Sequence, residues 1–137
     1  MPPIPWRRRG VVEPEQDYLV MASRLPLRTF LRIPWFLLLT AHVVRQLERT
    51  DGLVGYSLLA RPAKRTFCTL SAWAAQRDLD AYVAALPHVA VMSRLRPHMQ
   101  PTTFTTWTAR GSALPVAWPD ALAHLAEAET RPGTGAP

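Results

Sequence analysis

Hydrophobic and polar positions alternate most clearly from Arg65 to Trp73. Thr66, Cys68, Leu70 and Ala72 fall on one side of an extended chain there, and Phe67, Thr69, Ser71 and Trp73 on the other. Both sides lack charge, so the pattern predicts a strand covered twice, by two layers of this chain or by a second subunit. Three further segments read as strands. Asp17 to Arg24 sets Tyr18, Val20 and Ala22 against Leu19, Met21 and Ser23; Leu53 to Ala60 follows the helix stop Asp51-Gly52; Thr102 to Ala109 is rich in threonine and aromatics. The turn Arg61-Pro62-Ala63-Lys64 puts the second and third strands at hairpin distance.

Helical spacing fills the gaps. Trp35, Leu38, Leu39, His42 and Gln46 predict a helix from about Pro34 to Thr50, with Pro34 suited to its first turn. A second helix covers Asp78 to Leu86, breaks at Pro87 and resumes from His88 to about Leu95, and a last one runs from Trp118 to about Ala128. The order strand, helix, strand, strand, helix, strand is the split βαβ arrangement, an α+β ferredoxin-like βαββαβ sheet with an extra C-terminal helix. Two helices on one face leave the other bare, and its apolar residues predict a homodimer packed sheet against sheet.

Length and charge adjust this picture modestly. At 137 residues the chain suits a single domain. Residues 1–16 read as a disordered basic, proline-rich arm, residues 17–128 as the folded domain and residues 129–137 as a disordered tail. The net charge of +6 comes almost wholly from arginine, Lys64 being the sole lysine. Those arginines are scattered, and the tight cluster Arg7-Arg8-Arg9 reads as solvated, so no specific nucleic-acid partner is expected. The apolar run Ile33 to Val44 is about a dozen residues long, short for a membrane span. With Cys68 as the single cysteine and no signal-peptide pattern, a cytoplasmic location is expected. Cys68 itself reads as a small buried hydrophobe rather than a nucleophile.

The blocks Tyr18 to Leu25, Gly52 to Leu58 and Thr66 to Trp73, the pair Pro87-His88 and the late Ala117 to Ala121 resemble small actinobacterial proteins of the antibiotic-biosynthesis-monooxygenase superfamily, over about Asp17 to Leu125. The resemblance implies a dimeric α+β barrel. Its members include oxygenases that form quinones from polycyclic aromatics without metal or flavin, haem-degrading oxygenases and relatives without oxidative activity. The haem-degrading branch lines its pocket with an Asn, an aromatic and a His, whose positions fall on Ser23, Tyr82 and His88. Ser23 departs from that pattern.

His88 is the candidate catalytic residue. At a helix start the local field favours neutral imidazole, and a neutral imidazole beside Tyr56, Tyr82 and Trp73 can take a proton from an aromatic substrate. Ser23, Tyr56, Trp73 and Tyr82 are expected to bind substrate, with Arg24 and Arg94 holding an acidic substituent at the mouth. His42, His98 and His124 show no metal-ligand spacing, and no metal is expected. The expected function is a cofactor-independent monooxygenase or oxidase acting on an aromatic, polyketide-like compound. A cyclase or isomerase using the same proton transfer, a haem-binding protein with His88 as ligand, and a non-catalytic dimeric binding protein are the alternatives.

Overall fold

The computed structural model describes residues 4–85 and 88–130. Five strands form one antiparallel sheet: β1 (Ile4–Arg8), β2 (Asp17–Pro26), β3 (Leu53–Arg61), β4 (Thr66–Trp73) and β5 (Thr103–Arg110), in the order β1-β3-β4-β2-β5. Helix α1 (Ile33–Leu47) joins β2 to β3, helices α2 (Gln76–Ala84) and α3 (His88–Leu95) join β4 to β5, and α4 (Trp118–Glu129) follows β5. With β1 set aside, this is the expected α+β ferredoxin-like fold with an added C-terminal helix. The break expected at Pro87 lies outside the described residues, as do residues 131–137 of the expected tail.

Register fixes which side chains share a face. Ser23 sits opposite Thr69 on β4 and Phe104 on β5, while Met21 and Tyr56 both sit opposite Ser71. Met21, Ser23, Tyr56, Thr69 and Ser71 therefore point together toward α1, α2 and α3. Tyr18, Val20, Ala22, Leu70 and Ala72 take the opposite face and are buried against Ala121 and Leu125 of α4. At the sharp turn into β3, Gly52 adopts φ 86° with its α-carbon against the Asp78 side chain, a place no other residue could fill without displacing that acid.

Two expectations are corrected. Residues 4–8 are not disordered: β1 pairs with the edge of β3, and the Trp6 indole lies directly on Gly55, where any side chain would collide with it. The following residues stay attached, since the Arg9 and Gly10 amides donate to the Val54 carbonyl at 2.8 and 3.2 Å and the Glu13 amide donates to the Tyr18 hydroxyl at 2.8 Å. The sheet face expected to be bare is covered within the chain. Helix α4 lies across it, the Trp118 indole donates to the Ser57 hydroxyl at 3.0 Å, and Glu129 is bound by Arg24. The apolar residues of that face are therefore out of water within a single chain. Among the described residues, no helix is long and apolar enough to cross a membrane.

Candidate functional site

Between the sheet and α1, α2 and α3 lies a cavity of about 480 Å³. Its floor comes from alternate residues of the strands, with Met21 and Ser23 from β2, Tyr56 and Leu58 from β3, and Thr69 and Ser71 from β4. Phe36, Val43, Val44 and Leu47 of α1 form one wall. Across from them stand Tyr82 of α2 and His88, Val91, Met92 and Leu95 of α3, the last four spaced as one face of a helix. Most of this surface is aliphatic or aromatic, so a bound molecule would exchange water for hydrocarbon over nearly its whole outline.

His88 is the titratable imidazole in this wall, and it is held from two sides. Its backbone N–H donates to Gln46 Oε1 at 2.9 Å, while Gln46 Nε2 donates to the Tyr82 carbonyl at 3.2 Å, so one α1 side chain ties α2 to α3. The His88 Nδ1 lies 3.2 Å from the Val83 carbonyl oxygen. A carbonyl only accepts, so Nδ1 carries the proton and the lone pair resides on Nε2. Burial lowers the His88 pKa below the ordinary imidazole value, and the Val83 carbonyl opposes this with a smaller upward pull. At neutral pH the ring is a neutral acceptor.

Tyr82 packs its ring 4.9 Å from that of His88 and 5.3 Å from that of Trp73. Burial pushes its phenol well above the usual value, so it stays protonated and acts as a hydrogen-bond donor or a wall. Tyr56 is raised as well, first by burial and then by the Glu48 carboxylate. Ser23 and Thr69 share a hydrogen bond between their hydroxyls on the floor. A substrate carrying a weakly acidic proton would meet one base here and no fixed charge in the interior, apart from Arg45 at the α1 rim.

Four of the expected residues, Ser23, Tyr56, Tyr82 and His88, converge on this cavity. Three do not. Trp73 is completely buried behind Tyr82 with its indole N–H donating to the Ser71 hydroxyl at 2.8 Å, so it supports the wall without forming it. Arg24, next to Ser23 on a strand, necessarily points to the opposite face, where it binds Glu129. Arg94 is exposed and lies off the α3 face that lines the cavity. Among the other histidines, His42 is exposed, His98 meets the edge of Trp35 at 5.2 Å and His124 stacks on Trp107 at 3.7 Å. No group of three His, Cys, Asp or Glu side chains among the described residues is arranged to hold a metal. Cys68 is buried, and burial raises its thiol pKa, in keeping with a packing residue. Gln46 had no signal in the sequence, because its role depends on how α2 and α3 meet.

No family model and no curated protein matches the chain. Solved structures do share its fold. SnoaB, a cofactor-independent oxygenase from Streptomyces nogalater, superposes with a TM-score of 0.58 at 18% identity, over 72% of this chain and 98% of its own. An antibiotic biosynthesis monooxygenase gives 0.61 at 17% identity, over 66% and 97%. A Shewanella oneidensis protein also reaches 0.61, at 11% identity over 77% and 97%. At these identities the likeness establishes the α+β ferredoxin-like fold of the chain and no more.

Proposed function

We propose that the chain is a cofactor-independent oxygenase of an aromatic, polyketide-like compound, with His88 as its general base. The observation that carries this is the setting of His88: its Nδ1 lies within hydrogen-bond reach of the Val83 carbonyl, which leaves Nε2 as the acceptor, and burial lowers its pKa in a cavity where burial raises the phenols of Tyr56 and Tyr82. Nε2 takes the acidic proton of a phenol or of a methylene beside a carbonyl. In the apolar cavity the carbanionic substrate is electron-rich enough to reduce oxygen. For a methylene, one oxygen atom becomes the product carbonyl and the other leaves as water with the two hydrogens, so carbon loses four electrons and O₂ gains four. Tyr82 and the floor hydroxyls of Ser23 and Thr69 orient the substrate oxygens. The shared fold with SnoaB agrees with this reading, although fold alone does not choose a reaction.

Oxygen uptake with hydroxylated anthrones and naphthols tests it. Wild-type protein should consume one O₂ per product, and His88→Gln, which keeps hydrogen bonding but cannot act as base, should lose about two to four orders of magnitude in turnover. The wild-type kcat/KM should rise with pH through a value below the ordinary imidazole pKa, and this limb should vanish in the variant. Near-normal turnover in His88→Gln refutes the assignment. Product without oxygen uptake would identify a cyclase or isomerase, and a Soret band in purified protein would assign His88 to haem.

A further inference from the structure

One end of the molecule combines exposed hydrocarbon with unbalanced positive charge. Three chain segments meet there. The Leu27 amide donates to the Arg65 carbonyl at 2.8 Å, the Arg28 amide to the His98 carbonyl at 2.9 Å, and the Gln100 amide to the Pro26 carbonyl at 2.9 Å. The Arg65 guanidinium crosses to the Arg28 carbonyl at 2.8 Å and lies 5.3 Å from the centre of the Phe30 ring. These bonds fix the short 3-10 turn Phe30–Arg32, and with it the start of α1, on the end of the β3–β4 hairpin.

Around this junction stand Arg28, Arg32, Arg61, Lys64 and Arg65, exposed except for the half-buried Arg65, with the Arg28 Nε donating to the Met99 carbonyl at 3.0 Å. The sequence holds no acidic residue between Asp17 and Glu48, between Asp51 and Asp78, or between Asp80 and Asp120, so the segments forming this end carry none. Glu129, at the end of α4 on the opposite sheet face, is bound by Arg24. Phe30, Leu31, Leu37 and Leu38 emerge amid this charge, 56%, 89%, 46% and 61% exposed. Along α1 the outward face is apolar in its first turns, at Pro34, Leu37, Leu38 and Ala41, and polar only later, at His42 and Arg45. Scattered exposed leucines need no explanation, but a contiguous set ringed by cations does.

We propose that this surface docks on an anionic lipid bilayer, with Phe30, Leu31 and Leu38 entering the headgroup boundary and the surrounding arginines meeting lipid phosphates. Hydrocarbon inserted beside a cationic rim is the combination that binds a protein to an acidic membrane without spanning it. A second copy of the chain fits less well, since it would bring identical positive charge against this one. Leu37 and Ala41 belong both to the exposed face and to the cavity wall, so docking sets the rim of the cavity against the lipid phase. The inference stands apart from the reaction proposed above, and its test needs no turnover.

The test is co-sedimentation with vesicles of phosphatidylcholine alone and of phosphatidylcholine containing about 30% phosphatidylglycerol, at about 0.05 and 0.5 M NaCl. Wild-type protein should bind the anionic vesicles at least about tenfold more tightly than the neutral ones at low salt, and high salt should remove most of that preference. The double variant Leu31→Ser with Leu38→Ser should bind at least about tenfold more weakly with an unchanged melting temperature, because these side chains support no core. Arg28→Ser with Arg32→Ser should lose the preference for anionic vesicles. Absence of wild-type binding overturns the proposal, as does equal binding by the leucine variant. Lipid-free self-association that the leucine variant abolishes, without vesicle binding, assigns the surface to a second copy and equally overturns it.

Discussion

Replacing Gln46 probes how the base is held, and the structure gives the size of the effect. Gln46 Oε1 accepts the His88 N–H and Gln46 Nε2 donates to the Tyr82 carbonyl. In Gln46→Ala the Tyr82 carbonyl keeps its second partner, the Ala85 N–H at 3.2 Å, whereas the partly buried His88 N–H loses the bond described here. Leaving such a donor unmade costs about 1 kcal/mol, and the second bond adds a few tenths, so a loss of roughly 1.5 kcal/mol is expected. For a domain of this size that lowers the melting temperature by about 5 °C. Gln46→Glu separates geometry from charge. Its carboxylate still accepts the His88 N–H, but it places a negative charge near the imidazole and so should raise the His88 pKa.

The sign of the stability effect follows. Burial holds the folded-state His88 pKa below its unfolded value, so between the two values the unfolded chain binds more protons and stability falls as the pH is lowered from about 6.5. Raising the folded value narrows that window. Gln46→Glu should therefore lose less stability than wild type between pH 7 and the folded-state pKa. Titration of the imidazole ring protons by NMR, with His88 identified by its absence from the His88→Gln spectrum, reads the pKa directly, and thermal melts read the rest. An unmoved titration in Gln46→Glu together with an unchanged melting temperature in Gln46→Ala would refute the clamp.

Two other expectations follow from the corrections to the sequence reading. Trp6→Ala should lower stability by about 2 kcal/mol, roughly half the cost of emptying a fully buried aromatic site, because Trp6 is half-buried on Gly55. A melting temperature within about a degree of wild type would show that β1 contributes nothing to the core. Arg24→Ala and Arg94→Ala should leave kcat and KM within about twofold of wild type, since neither side chain reaches the cavity, and a specific rise in KM for acidic substrates would restore them to the site.

The sheet was legible because a strand repeats every two residues, and the uncharged alternation from Thr66 to Trp73 has no other reading. The same period could have excluded Arg24 once Ser23 was placed in the pocket, since neighbours on a strand cannot share a face. Strand β1 was hidden because its pairing is remote: Trp6 gains its place only when Gly55, far along the chain, presents bare backbone. Helix α4 was located from its Trp-Pro-Asp start, but its destination depended on which sheet face lacked cover. His88, Tyr82 and Tyr56 could be placed at the cavity because each is a chemically distinctive residue at the inward position of its element, whereas Ser23 entered through its position in the resemblance. Gln46 was missed because a glutamine on a helix looks like any solvated polar residue until the α2–α3 junction stands beside it.

Helix α4 makes the cover of the sheet unimolecular. A face closed by a second subunit is exposed again on dilution, with a population set by mass action, whereas Ala121 and Leu125 remain tethered to Val20 and Ala22 at any protein concentration. The tether is the stretch from Gly111 to Ala117, and its first residue is seated by the Gly111 amide donating to the Gln16 carbonyl at 2.8 Å. Burial of this face then begins with closure of a loop rather than with an encounter between molecules, so its rate is a property of the chain and independent of how much protein the solution holds.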